Sequence, residues 1–394
     1  MHSRTLTWEE VRAFRLARHR LLAPAPRSEL ARVAGEVCGI HAQIMGSAEL
    51  SLGLRVAGIT RQDVRSELWE RRRLVKMPGI RGTVHLFPAA ELGHWLAALA
   101  SVRPPESMTV AEEWGLTPRQ IPVLVEAIGA ALDGRRLTRQ ELGEEVARRV
   151  GRWALESGYA AFGRGAPKWT VAIGAAAAAG ALCFGPNQGS RVTFVRTDQW
   201  VGPWQSPDRR EALGWAFRRF LAAYGPATPD EFARWFSMES RDARELAAAM
   251  RPELREVTVG ERTALLPNDL DLAAPVLEPS ARLLPRFDCY LVRSHPRDQL
   301  IPRVVRERLS AGQPRWVRSL GTVAPFQVLL LDGLTGGVWE HRRVRGRMDI
   351  RVDAYLPMSD RHRELLEADA ARIGDVLEAV PRLDFGRVDP TMHL

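Results

Sequence analysis

Apolar residues recur at helical spacing from the start of the chain. Trp8, Val11, Phe14 and Leu21 form a stripe behind Thr7 and Glu10, which stand at capping-box spacing. This predicts a helix running to about Leu22 and stopping at Pro24 and Pro26. Ser28 caps a second helix, and Thr60 with Asp63 opens another that continues through Arg71. Residues 74–77 and 83–87 then read as two short strands joined around Pro78-Gly79. The same grammar returns twice. Thr117-Pro118 begins a helix to Leu132, the box Thr138/Glu141 begins one to Val150, and residues 169–181 form a third. Strands over 182–185 and 191–195 flank the turn Pro186-Asn187-Gln188-Gly189. After Pro207 a helix runs to Tyr224 and breaks at Gly225-Pro226, and Thr228-Pro229-Asp230-Glu231 starts the next, with Phe232, Trp235 and Phe236 as its core face. Residues 241–250 supply a further helix, and 254–259 with 263–266 a hairpin about Gly260.

Helices followed by a short hairpin make a winged helix, so three such units are expected, over residues 1–105, 106–200 and 201–270. Beyond Asn268 the pattern changes to short apolar runs separated by turn residues, at 282–284, 290–292, 317–320, 327–331, 337–341 and 348–355. That spacing predicts a small, mainly antiparallel sheet or barrel over residues 271–394, closed by one amphipathic helix over 360–380. The tail after Pro381 is polar and is expected to be loosely held. The fold class is therefore α+β: tandem winged-helix units followed by a β-rich region.

Composition narrows the setting. No run of about 18 apolar residues is present, and residues 171–182, the most hydrophobic stretch, are mostly alanine and too short to span a bilayer. The amino terminus has no apolar signal core, so a cytoplasmic protein without a membrane partner is expected. Cys38, Cys183 and Cys289 are odd in number and far apart, which fits a reducing compartment. Cys38 and His41 have C-x-x-H spacing, yet two further ligands are missing nearby, so a buried thiol is expected rather than zinc, and no cofactor. The formal net charge is +9 with lysine only at Lys76 and Lys168, so arginine carries the positive charge. Its planar fork suits phosphate contact, although a G+C-rich genome also raises arginine content. The sign of the charge permits a polyanionic partner.

Candidate chemistry concentrates in Cys38-Gly39-Ile40-His41-Ala42-Gln43. Two hydrogen-bonding side chains, His41 and Gln43, interrupt a segment whose neighbours Val33, Val37, Ile40, Ile44 and Met45 are apolar. Residues i and i+2 point about 200° apart on a helix but share a face in an extended segment, so the pair converges only if the helix has ended by Gly39. A lone histidine near an apolar helix end is also compatible with a satisfied core residue. Residues 36–54, the string Arg81-Gly82-Thr83-Val84-His85-Leu86, the string Cys183-Phe184-Gly185-Pro186 and the string Leu284-Pro285-Arg286-Phe287-Asp288 resemble, in order and spacing, the AlkZ/YcaQ family of bacterial winged-helix DNA glycosylases. AlkZ-like members carry Gln-x-Gln as the catalytic motif and the YcaQ branch Gln-x-Asp. His41 departs from both, and the chain is similar to a His-x-Gln branch linked to self-resistance against large, intercalating, guanine-alkylating natural products.

The resemblance implies a monofunctional DNA glycosylase that hydrolyses the N-glycosidic bond of N7-alkylguanine in double-stranded DNA and initiates base excision repair, with His41 and Gln43 as its catalytic pair. A monomer is expected. N7-alkylguanine already carries positive charge and leaves without protonation, so no strong general acid is required. A histidine and a glutamine on one face can hold a water between them, His41 as proton acceptor and Gln43 as a neutral orienting group.

Further residues are candidates for DNA or lesion contact. Arg81, Thr83 and His85 are expected on one face of a strand, where lesion contact and packing against the following helix fit equally. Residues 163–169, with Arg164 and Lys168, form a basic turn entering a helix, a place where N–H groups receive phosphate, and Arg191 flanks the neighbouring wing. Arg286, Asp288, Arg293, His295, Arg297 and Asp298 gather at two predicted strand ends; Asp288 among cations reads as a salt-bridge partner in a supporting role rather than a glycosylase acid. The duplex-probing hairpin that the resemblance implies falls at residues 334–337 or at the wing about Gly260. Two other classes compete: a non-enzymatic winged-helix regulator, and a protein that sequesters a toxic small molecule. A regulator needs a basic recognition helix, whereas residues 169–181 are almost pure alanine and glycine after Lys168. Sequestration leaves the basic charge unexplained.

Overall fold

A computed structural model describes residues 4–102, 112–161, 164–272, 277–311 and 325–389. The fold is mixed α+β, in two compact units: Met1–Arg65 with Phe217–Trp235 and Glu239–Leu394, and Ser66–Ala216 with Phe236–Met238.

The first unit is built on a five-stranded sheet in the order Ala281–Leu284, Val328–Leu331, Leu334–Val344, Arg347–Ala354, Val380–Phe385. The first three pairings are antiparallel and the last is parallel. Ser359 caps the helix Asp360–Leu377, whose Leu366, Ile373 and Leu377 pack on Leu283, Leu329, Ile350 and Val352 of the sheet. Leu50 and Leu54 of the helix Met45–Arg55 enter the same core. A three-stranded sheet lies apart from it in sequence: Arg4–Leu6 runs parallel to Leu254–Val259, which forms a hairpin with Arg262–Pro267 about Gly260 at φ +58°. Leu6, Val11 and Phe14 bury against Val257, Val259 and Leu266 of that sheet. The capping boxes of Thr7 and Glu10 and of Thr138 and Glu141 form as expected.

The second unit contains the hairpin Leu74–Pro78/Val84–Pro88, the helices Leu92–Val102, Gln120–Ala131 and Arg139–Val150, and a sheet in which Leu137–Thr138 pairs with Arg191–Val195 and that strand with Cys183–Gln188. Trp95 is fully buried between Phe87 and Trp215, with ring centroids 4.8 and 5.0 Å away. Gly93 is fixed by close approach, because a Cβ there would sit 1.9 Å from the carbonyl oxygen of Gln205.

Several sequence expectations are corrected. The first helix stops at Arg18, followed by a left-handed Arg20 at φ +55°. Residues 290–292 are not a strand but part of the helix Cys289–Arg293, because Asp288 caps it by accepting from the Tyr290 N–H. Residues 169–181 divide into the 3₁₀ turn Lys168–Ala172 and the helix Ile173–Ala178. The polar tail is held as the strand Val380–Phe385 by its parallel partner, and the strand expected at 317–320 lies outside the described residues. Among the described residues no helix is long and apolar enough to cross a membrane.

Candidate active site

The helix Leu30–Glu36 ends in two successive left-handed residues, Cys38 at φ +60° and Gly39 at φ +87°. The Gly39 N–H donates to the Ala34 carbonyl at 2.7 Å, so the reversal satisfies a helix-terminal acceptor. The chain then extends through Ile40–His41, and the helix Met45–Arg55 begins after Ile44. The helix has thus ended by Gly39, as convergence of the pair requires. His41 is buried, at 6% exposure, while Gln43 is exposed and Ile44 beside it is 39% exposed. An imidazole withdrawn from water stands two residues from an accessible amide.

Three contacts fix this segment. The ring of Phe287 stacks on His41, with centroids 5.3 Å apart and planes inclined by 24°. Arg293, itself 1% exposed, donates one nitrogen towards the carbonyls of Cys38 at 2.8 Å, Gly39 at 3.2 Å and Val37 at 3.5 Å. The Tyr224 hydroxyl donates to Val37 at 3.1 Å. Behind the motif, Asp288 receives Arg55 at 2.8 and 2.7 Å and the Ser51 hydroxyl at 2.7 Å, with both members of the ion pair fully buried. Burial alone would depress the Arg55 guanidinium, but the Asp288 carboxylate holds it above its ordinary pKa. His19, in the same interior, is pushed well below the ordinary histidine value by burial and by the cations Arg55, Arg15 and Arg293, so it is neutral.

The sequence-predicted residues divide by placement. Arg286 is half-buried next to Phe287, and burial lowers its pKa. Burial and Arg286 together lower that of His341, whose Nδ1 lies 2.9 Å from Gln327 Nε2. Asp288, read as a salt-bridge partner although grouped with the DNA-contact candidates, is that partner: it is 1% exposed with its oxygens engaged, so it presents no surface to a nucleic acid. Arg297 donates to the carbonyls of Leu291 and Val292 and closes the turn after the helix Cys289–Arg293. In the second unit, Arg81, Thr83 and His85 do not share a strand face. Arg81 is left-handed at φ +57° inside a 3₁₀ turn, Thr83 donates to the Ile80 carbonyl at 3.0 Å, and the strand begins only at Val84. His85 is 1% exposed, stacked on Phe87 at 5.5 Å, with its Nδ1 2.8 Å from the Thr83 carbonyl. Lys168 pairs with Glu156 at 2.9 Å. Arg191 is exposed and borders a cavity of about 570 Å³ lined by Leu155, Pro167, Trp169 and Val192. Arg164 stands on the strand Arg164–Pro167, but its side chain lies outside the described residues.

Sequence reasoning placed Arg293 among the ionisable groups near Asp288 but missed its contact with the 37–39 turn, and it missed Phe287, Tyr224, Ser51 and Arg55. Phe287 and Ser51 carried a signal, as members of the resembling strings. Among the described residues no group of three His, Cys, Asp or Glu side chains is placed to hold a metal ion.

Comparison with known proteins adds three findings. A family model described as "DNA glycosylase AlkZ-like" matches residues 34–376. An interstrand DNA cross-link repair glycosylase of Streptomyces sahachiroi is 34% identical over 341 residues, covering 85% of this chain and 88% of that protein. The structure of Streptomyces sahachiroi DNA glycosylase AlkZ superposes with a TM-score of 0.74 at 29% identity, covering 97% of this chain and all of the other.

Proposed function

The chain belongs to the AlkZ-like family of DNA glycosylases, hydrolases of N-glycosyl bonds, and from that premise we propose that it excises N7-alkylguanine from double-stranded DNA. The adducts are bulky, intercalating natural products, and the reaction confers self-resistance. The similarity to a glycosylase named for interstrand cross-link repair extends the proposed substrates to guanines joined across the duplex.

In this reading Gln43 orients a water and His41 receives its proton as the oxygen bonds to the anomeric carbon. The bond from that carbon to the base breaks, and its electron pair neutralises the cationic alkylguanine. The products are an abasic site and the free adduct. The observation that supports this assignment most is local: past the helix end, the short strand Ile40–His41 holds a stacked, buried imidazole two residues before an exposed amide, Gln43. Neutral groups suffice because the leaving base is already activated.

The three-unit reading is also a proposal. Leu137–Thr138 pairs antiparallel with a wing strand, and Ala227, between the helices Arg209–Tyr224 and Pro229–Phe236, bridges to Leu265 on another. Those pairings support winged helices at two of the three places. A net charge of +9 and exposed arginines such as Arg191 support duplex DNA as the partner. The test is incubation with duplexes carrying defined N7-guanine adducts, scoring abasic sites after alkali. Release of the adduct supports the proposal, and intact adducted strands at enzyme excess refute it.

A further inference from the structure

The segment from Phe287 to Arg293 touches the His41 motif, the turn before it and the helix after it. Its first residue, Phe287, is left-handed at φ +58°, a conformation disfavoured for a bulky side chain, and lays its ring on His41. Its second, Asp288, caps the helix Cys289–Arg293 and receives Ser51 and Arg55 from the helix that follows the motif. Its last, Arg293, collects the carbonyls of Val37, Cys38 and Gly39 from the turn that precedes the motif. The guanidinium also lies 5.5 Å from the ring of Trp235. Consecutive carbonyls converging on one point repel each other unless a cation or donor stands there, so the doubly left-handed turn depends on this side chain.

We propose that residues 287–293 form a positioning bracket for the catalytic pair. Phe287 sets the plane of the His41 ring, and Arg293 sets the turn from which the ring projects. This rests on the assignment of His41 and Gln43 given above. In this proposal Phe287 and Arg293 act through His41. The ring stack leaves rotation of His41 about its own bonds restricted, which is what a water-holding nitrogen requires.

The test uses the full chain with Phe287→Leu, Phe287→Tyr, Arg293→Lys and His41→Ala, together with the double variant His41→Ala/Phe287→Leu. Phe287→Leu and Arg293→Lys are expected to slow single-turnover excision about 10- to 100-fold, the scale of a small misplacement of a reacting group, with DNA affinity unchanged. Phe287→Tyr restores the rate. The imidazole NMR signals of His41 shift in Phe287→Leu and Arg293→Lys and return in Phe287→Tyr. In the His41→Ala background, Phe287→Leu adds less than about a further 2-fold, because the two act as one unit. Unmoved His41 signals in Phe287→Leu overturn the bracket, as does a Phe287→Leu loss that multiplies fully with that of His41→Ala. If His41→Ala excises at the wild-type rate, the catalytic assignment fails by itself, and the NMR signals alone then decide whether residues 287–293 position His41.

Discussion

Asp288 offers a decisive perturbation, because glycosylase acids are often aspartates while this one is sealed in a buried ion pair. Its carboxylate accepts Arg55 twice, Ser51 once and the Tyr290 N–H at 3.0 Å. Asp288→Ala strands a guanidinium of zero exposure, at about 3–5 kcal/mol for a buried pair broken from one side. Loss of the cap on the helix Cys289–Arg293 adds about 1 kcal/mol. At about 2–4 °C per kcal/mol for a body of this size, Tm should fall by roughly 10 to 20 °C. Removing both charges in Arg55→Met/Asp288→Leu should recover at least half of that, since an apolar pair of similar volume replaces an ion pair with little loss. Scanning calorimetry on the wild type, both single variants and the double variant measures this, with excision assayed on the folded fraction. A Tm shift of Asp288→Ala below about 3 °C would refute the structural role. So would Asp288→Asn with wild-type stability and no activity, which is the signature of a chemical acid.

Other outcomes follow from the same physics. His41→Ala and Gln43→Ala should each slow excision by about 10², and the double variant by less than the product, in single-turnover assays on the folded fraction, with Tm close to wild type for the exposed Gln43 and lowered for the buried His41. No covalent adduct should be trapped by borohydride, since the pair contains no amine to form a Schiff base. DNA affinity should fall steeply between low and physiological salt in binding titrations, and a flat response contradicts phosphate contact by the arginine-rich surface. Glu145, held by Arg149, Arg135 and Arg148, has its pKa lowered from 4.5 to about 2. Its stabilisation is therefore complete above pH 4.5 and disappears as pH falls towards 2. The Tm difference between wild type and Glu145→Gln should close over that window.

What was legible in the sequence was local. The boxes Thr7/Glu10 and Thr138/Glu141 and the hairpin about Gly260 rest on interactions a few residues apart, and all form. The apolar run Tyr290-Leu291-Val292 carried no period long enough to separate strand from helix, and the capping carboxylate of Asp288 decided it. The strand Val380–Phe385 looked like a loose tail because its partner, Arg347–Ala354, lies across an intervening helix. In the site, the end of the helix before His41 and Gln43 was readable from Gly39. The bonds from Arg293 to the 37–39 turn span 254 to 256 positions, and Arg55 and Asp288 are 233 apart, so no local pattern encodes them. Of the two readings open for Arg81, Thr83 and His85, alternation along a strand does not choose, because it does not say which face is buried, and a shared face for the three fails because the strand begins only at Val84.

The discontinuity of the first unit sets an order of events on the ribosome. Residues 66–216 are synthesised between its parts, and the turn bearing His41 acquires Tyr224 and then Arg293 only when those residues emerge. At about 5–20 residues per second, roughly 10 to 50 s separate the appearance of His41 from that of its guanidinium clamp. The second unit, continuous over nearly all its length, is able to collapse first, while the 37–39 turn stays open on the nascent chain.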